Sequence, residues 1–226
     1  MTHASARKPD QVLDAQREHW ESTFASKPSM FGDAPSDPAR AAAVVFKREG
    51  AGKLLELGAG QGRDTVFFAQ YGFQVTALEY SSHGVEALAK KAEALGLSRS
   101  IALTRHDVRQ PLPLDDESFD ACYSHMLFCM ALTTRQIESL SQEIRRVLRP
   151  GGLNIYTVRH TGDPQYGTGV HRGEDIYEID GGFIVHFFTR QKVRELTQGY
   201  EIVSVDDFEE GGLPKKLFRV TLRKEK

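Results

Sequence analysis

The chain has 226 residues, 40% of them hydrophobic and 27% charged, with a net charge of −2. That length suits one α/β domain with additions and a sizeable core, and the near-neutral balance argues against a broad electropositive face for nucleic acid. No apolar run reaches the length of a membrane span and "MTHASARKPDQ" has no signal-peptide core, so the expectation is a cytoplasmic chain with no membrane partner.

In chain order, "DQVLDAQREHWESTF" predicts a helix carrying Val12, Trp20 and Phe24. "SKPSMFGDAPSDPAR" is dense in Pro, Gly, Ser and Asp and predicts an irregular segment. "PARAAAVVFKREGAG" is a helix with a Pro-marked start and a Gly-marked stop. A strand–helix alternation then begins at Lys53. It runs through strand "KLLELG", helix "RDTVFFAQYG", strand "QVTALE", helix "SSHGVEALAKKAEALG" and the strands "IALTRHD" and "FDACYSH". The helix "TTRQIESLSQEIRRVLRPGG" follows, with Ile137, Leu140, Ile144, Val147 and Leu148 on one stripe and a stop at Pro150 and two glycines. "LNIYTVRH" is the fifth strand. Repeated β–α units of this kind require right-handed crossovers and a parallel sheet covered on both faces. After the helix "TRQKVRELTQG", the runs "YEIVSVDDFEE" and "KLFRVTLRK" joined by "GGLP" predict an edge hairpin, so the sheet is expected to be mixed. Cys122 and Cys129 are too few for a disulfide framework or a metal knuckle and are expected to be reduced packing thiols.

Chemistry first enters at "LLELGAGQGRD", a glycine loop between a predicted strand and a predicted helix. Bare backbone there lets a ligand approach unpaired N–H groups. A dinucleotide loop spaces its glycines G-x-G-x-x-G. Here they are Gly58, Gly60 and Gly62, and Arg63 fills the dinucleotide position. Glu56, just before the loop, would repel a pyrophosphate and suits a ligand with positive charge. Glu79 ends the second strand, about twenty residues on, where a carboxylate accepts ribose hydroxyls. His106–Asp107 end the third, where a carboxylate can receive an adenine amino group. A cation, a ribose and an adenine with no phosphate describe S-adenosylmethionine. Taken singly, Glu56 and Asp107 also read as solvated strand-end acids. Asp64 reads equally as a helix N-terminal acid stabilising the dipole.

Together, "LLELGAGQGRD", "VTALEYS", "RHDVRQPLPL", "SFDACYSHMLF" and "LRPGG" resemble the ordered motifs of the class I S-adenosylmethionine-dependent methyltransferases, from about Lys53 to the C-terminus. The resemblance implies an α/β fold with a doubly wound, mixed seven-stranded sheet, Rossmann-like, whose last strand is antiparallel. It implies a methyltransferase domain over 51–226 and an N-terminal helical lid over 1–50. It also implies that the glycine loop and Glu56 hold the methionine end of S-adenosyl-L-methionine, that Glu79 takes the ribose, and that Asp107 with Val108 takes the adenine. The candidate cofactor residues are Glu56, Gly58, Ala59, Gly60, Gly62, Asp64, Glu79, Tyr80, Asp107, Val108 and Ser124. The segment "HWESTF…MFG" is similar to small-molecule and tellurite- or thiol-methylating members, in which it helps cover the cofactor.

The reaction expected is in-line displacement on a sulfonium methyl, helped by alignment in a water-poor pocket. The acceptor pocket is expected over the carboxyl ends of strands four and five, with His125 as the candidate base. Arg159 and His160 end strand five. An insertion at about 160–188, long enough to be functional, carries Tyr166, His171, Asp175, Tyr177 and His186 and is expected to form an ordered flap. Phe128, Trp20 and Phe31 complete the candidate acceptor residues. The histidines lack H-x-x-x-H or H-E-x-x-H spacing, so no metal is expected, and each also reads as a packing group. Arg159 suits either an anionic substrate or a neighbouring acid. Trp20 and Phe31 either close the pocket or staple the N-terminal helix. "SHML" stands where amino-group nucleic-acid methyltransferases carry an "NPPY"-type motif, which disfavours a nucleic acid substrate. The expected function is methyl transfer to N, O or S of a small molecule. The alternatives are a metalloid-oxyanion or thiol methyltransferase, and a cofactor-binding protein without transfer activity.

Overall fold

The computed structural model describes residues 9–211 and 215–226. Its elements in chain order are α1 (Pro9–Ser26), α2 (Asp37–Arg48), β1 (Lys53–Leu57), α3 (Arg63–Gln70), β2 (Gln74–Glu79), α4 (Ser82–Ala94), β3 (Ile101–Arg105) and β4 (Phe119–His125). Then come α5 (Thr134–Val147), β5 (Leu148–Arg159), β6 (Val170–Gly173), β7 (Ile176–Glu178), β8 (Ile184–His186), α6 (Arg190–Glu195), β9 (Tyr200–Glu210) and β10 (Lys215–Lys224). The main sheet has seven strands in the order β3-β2-β1-β4-β5-β10-β9. Neighbours among β1 to β5 pair in parallel, and β10, the last strand, runs antiparallel to both β5 and β9. This is the doubly wound mixed sheet that the motif order implied.

Strand alternation explains the two-sided core. Successive side chains of a strand point to opposite faces. Leu54 thus packs with Phe46, Phe68 and Phe73 beneath α2 and α3, while Leu55 packs with Ile137, Ile144 and Tyr156 on the α5 face. Side-chain caps mark where helices begin. Ser36 accepts the Ala39 N–H, Ser81 the Gly84 N–H, and Thr133 forms a reciprocal capping box with Gln136. No described helix is long and apolar enough to cross a membrane.

Two elements differ from expectation. The helix through "RRVLRPGG" stops at Val147, and Leu148 already pairs with Phe119 as the first residue of β5. Pro150 disfavours helical backbone at Arg149, and Leu148 is extended with φ −75° and ψ 142°. The 160–188 insertion folds into a separate three-stranded antiparallel sheet, β6-β7-β8: the two strand-like runs within "IYEIDGGFIVHFF" form β7 and β8, and β6 is a third strand beyond that pair. Residues 1–8 of the expected lid segment, the Val12 side chain and residues 212–214 of the "GGLP" turn lie outside what the structure describes.

Candidate functional site

The carboxyl ends of β1 to β4 open into one cavity, the edge at which open α/β sheets take ligands. Its floor is the glycine loop. Gly58, Gly60 and Gly62 have φ of +71°, +55° and +85°, a region side chains rarely adopt, and a Cβ at Gly62 would meet Leu88 at 2.3 Å. The loop is tied down by Gly58 N–H to Leu78 O (2.8 Å) and Gly60 N–H to Glu79 Oε2 (2.8 Å). Gly84, in the first turn of α4, is equally constrained. A Cβ there would come within 2.8 Å of Gly60 O and 3.0 Å of Glu79 Cγ.

Glu56, Gly58, Ala59, Gly60, Gly62, Asp64, Glu79, Tyr80, Asp107 and Val108 all line this cavity. Glu56 is buried and its Oε2 has no hydrogen-bond partner. Burial first, and then the Asp64 carboxylate, push its carboxyl well above the usual range. Glu79 is buried too, and its second oxygen accepts the Ser81 N–H at 2.8 Å. Burial raises its pKa against the lowering effect of those amides. Asp107 is gripped by Arg109, whose Nη2 donates to Oδ2 at 2.7 Å. Burial would raise the Asp107 carboxyl, but the Arg109 hydrogen bonds outweigh it and hold the group low. The Asp64 side chain has a structural use: it accepts the Ser36 N–H at 2.7 Å and the Ser36 hydroxyl at 2.8 Å, fastening the start of α2 to the loop. Ser124 is absent from the wall. It alternates with Tyr123 and His125 along β4 and shares the face of Cys122, under α5.

His125 lines the cavity, with its Nδ1 2.8 Å from Thr157 Oγ1 and its Nε2 3.2 Å from Glu210 Oε2. Met126 beside it has φ +56°, an uncommon value for a residue with a side chain. The Met126 N–H is anchored on Thr157 O (3.1 Å) and Oγ1 (2.9 Å). Met126, Leu127, Met130 and Leu132 supply an apolar wall after β4. From the other side come Gln16, Arg17, Trp20 and Phe24 of α1, with Phe31. Trp20 packs against Phe24 (5.2 Å between ring centroids), Phe31 (6.5 Å) and Phe183 (4.9 Å). It therefore lines the cavity and staples α1 at once.

The rest of the expected acceptor set does not line the cavity. Arg159 is buried against Asp163, with Nε–Oδ2 at 3.0 Å, so the neighbouring-acid reading is the one realised. His160 stacks on Phe218 at 4.4 Å, and burial lowers its pKa. Tyr166 donates to Asp175 Oδ1 and meets Tyr177 edge-on. His171 lies 2.8 Å from Glu174 O. His186 is fully buried, with Nδ1 2.7 Å from Leu132 O and Lys192 on its other nitrogen. Phe128 is buried against Tyr156. The physical reason is that the insertion has a small sheet of its own to build, and its aromatics and histidines are used in packing it beside β5. It meets the site through α1: Gln16 Nε2 donates to Gly182 O at 2.8 Å and Gln16 Oε1 accepts the Ile184 N–H at 3.1 Å.

Sequence reasoning missed Glu210, Thr157, Arg63, Gln16 and the apolar wall. Thr157 was within reach, because parallel pairing sets it opposite His125, and "MLFCMAL" stands directly after strand four. Glu210 carries no local signal, since only the closing of the last hairpin brings it near His125.

Residues 54–152 match the profile of a family described as a methyltransferase domain. The thiol S-methyltransferase TMT1B of Homo sapiens is 32% identical over 128 residues, 55% of this chain and 49% of that protein. The probable S-adenosyl-L-methionine-dependent methyltransferase TehB of Haemophilus influenzae is 26% identical over 111 residues, 49% of this chain and 37% of the relative. The chain thus spans about half or less of the length of these curated relatives. Among solved structures, the 1,6-didemethyltoxoflavin-N1-methyltransferase of Burkholderia thailandensis, with bound 1,6-didemethyltoxoflavin and S-adenosylhomocysteine, is similar with a TM-score of 0.74. That similarity covers 100% of this chain and 94% of the other at 19% identity, and it is a likeness of fold.

Proposed function

We propose that this chain, whose residues 54–152 match a methyltransferase-domain profile, is a class I S-adenosylmethionine-dependent methyltransferase that transfers a methyl group to a nucleophilic N, O or S atom of a small molecule. One observation carries the reading: Glu56, Glu79 and Asp107, from the ends of three neighbouring strands, line one cavity with the glycine loop. The donor set fits the cofactor. The orphaned Glu56 oxygen suits the ammonium at its methionine end. Glu79, already oriented by two backbone amides, has lone pairs left for ribose hydroxyls. Asp107, held in place by Arg109, meets the adenine edge with Val108 beside it.

S-adenosylmethionine supplies an electrophilic methyl on a sulfonium. The chain's own part is to hold and align. The apolar wall after β4 and the aromatic groups of α1 exclude water from the space beside His125, where alignment of the reacting atoms supplies much of the rate. In this reading α1 and the 27–36 segment act as the lid, and the insertion around β6 to β8 braces it through Gln16. The acceptor is a small molecule, with no nucleic acid and no membrane partner, and the setting is the cytoplasm, where the two buried cysteines stay reduced. A thiol acceptor is favoured as the second reading by the methionine and aromatic walls, which suit a soft sulfur, and by the thiol-methylating relative.

Calorimetric titration with S-adenosylhomocysteine, beside NAD as control, tests the reading on wild type and Glu79→Ala. Saturable binding of the first alone, weakened in the variant by at least tenfold, is the expected result, since about 1.4 kcal/mol of ribose contact suffices for that factor. Equal binding of NAD, or no effect of the substitution, would count against it.

A further inference from the structure

Four groups distant in sequence converge beside β4: Arg63 at the start of α3, His125 at the end of β4, Thr157 on β5 and Glu210 at the end of β9. Thr157 Oγ1 accepts the Met126 N–H at 2.9 Å and lies 2.8 Å from His125 Nδ1. While accepting that amide the hydroxyl still has its own proton to give to Nδ1, which it does in the tautomer that carries the ring proton on Nε2. The neighbour of Nε2 agrees with this tautomer. Glu210 Oε2 is 3.2 Å away, and a carboxylate attracts an N–H but repels a lone pair. That contact lies off the N–H axis, so Nε2, shielded from solvent, has no aligned hydrogen bond. The other Glu210 oxygen faces Arg63 Nη2 at 3.9 Å. Among the described residues every polar contact of Arg63 is long: 3.4 Å to Phe31 O, 3.8 Å to Asp64 and 3.9 Å to Glu210.

Two cavity-wall donors thus face one carboxylate, and neither makes a good bond to it. We propose that Arg63 and the Nε2–H of His125 form a seat for an anionic group on the methyl acceptor, a carboxylate or another small oxyanion. Glu210 holds that seat as a tethered stand-in until the acceptor displaces it. The inference rests on the methyltransferase reading and narrows its substrate to anions. Acceptor-only oxygens match a pair of donors. Exchange of one carboxylate for another conserves the local charge, whereas a neutral acceptor that moved Glu210 would strand a guanidinium and an N–H without a counter-group. Glu210 stands at the hairpin end, just before Gly211 with φ +88°, and its side chain is a quarter exposed, so it can turn out into water. The geometry also revises the role of His125. In this arrangement it presents a proton to the acceptor and holds it in place, and it offers no lone pair for base catalysis at Nε2.

Benzoate and benzamide are a matched anionic and neutral pair that suit the aromatic walls. Trp20, the one tryptophan of the chain, lines the cavity and reports binding by its fluorescence. With S-adenosylhomocysteine saturating, the wild type should bind benzoate in preference to benzamide. Glu210→Gln should tighten benzoate by roughly five- to tenfold, the worth of one partly exposed ion pair, and leave benzamide unchanged. Arg63→Gln should remove the preference. Selenite titrated in parallel separates an inorganic oxyanion from an organic carboxylate, and tightening of either anion by Glu210→Gln supports the seat. Equal affinity for benzoate and benzamide, or failure of Glu210→Gln to bind either anion, overturns it. Titration of each protein with S-adenosylhomocysteine keeps the two ideas apart. No binding by the wild type sinks the methyltransferase reading, while normal binding without anion preference sinks only the seat.

Discussion

Glu56 is a buried carboxyl with one oxygen unpartnered, and that arrangement links proton and ligand. Burial and the nearby Asp64 charge raise its pKa, so the free protein keeps the proton above the ordinary carboxylate range. The sign follows directly. The folded state binds more protons than the unfolded chain there, so folding stability declines as pH rises through that window. A bound ammonium reverses this by favouring the ionised carboxylate. Binding of S-adenosylhomocysteine should therefore release a proton and strengthen with rising pH until Glu56 ionises unaided. Calorimetry in buffers of different ionisation enthalpy would register the released proton, and Glu56→Gln should abolish the buffer dependence. Heats that are the same in every buffer for the wild type would mean that Glu56 is not the group facing the charge.

At the scale of elements, the site depends on how closely α4 approaches the glycine loop. The sequence marks three loop glycines, but the fourth constrained position, Gly84, belongs to the helix that follows the next strand. In an isolated helix Gly→Ala would be worth about 1 kcal/mol in favour of folding. Here a Cβ would strike Gly60 O at 2.8 Å, and overpacking of this kind costs about 1–3 kcal/mol. Gly84→Ala should consequently weaken S-adenosylhomocysteine binding, and its thermal stability should fail to rise. A stabilised variant with unchanged affinity would show that the loop yields freely. The strand ends follow the same logic. Glu79 is oriented by a loop amide from one side and a helix-capping segment from the other, so its geometry is a property of the β2–α4 connection and the glycine loop together.

For the molecule as a whole, the decisive contact is the return of α1 to the sheet. Glu21 accepts the Ser81 hydroxyl (2.7 Å), the Ser82 N–H (2.7 Å) and the His83 N–H (3.2 Å), which places its charge at the N-terminus of α4. Burial acts to raise its carboxyl, but these donors dominate and bring it from 4.5 down to about 2. A depressed pKa contributes stability that is present above the ordinary value and lost as pH falls through the folded one. Docking of α1 should loosen between pH 4.5 and about 2. Trp20 emission should shift to the red over that range, ahead of the loss of far-ultraviolet circular dichroism. Glu21→Gln should produce much of the same shift at neutral pH. Coincident profiles for wild type and variant would mean that Gln16 and the aromatic cluster suffice to hold the helix.

The order of strands and helices, the glycine loop and the acids at three strand ends were legible from residue order alone. Each is a local matter: alternation and helical periodicity report burial, and a loop between strand and helix lies at the binding edge of any parallel sheet. The end of α5 was misread by a few residues, because a helical stripe and a buried strand look alike until the proline is set against its partner strand. The acceptor side was far less legible. Arg159, His160 and the histidines of the insertion have the right chemistry, but packing uses them elsewhere. Glu210 and Gln16 reach the site, and Glu21 meets the start of α4, only when the last hairpin and the first helix close on the sheet. Strand ends inherit their position from the chain's own periodicity. The groups that face them across the cavity come from distant segments, and only tertiary structure decides which of those meet.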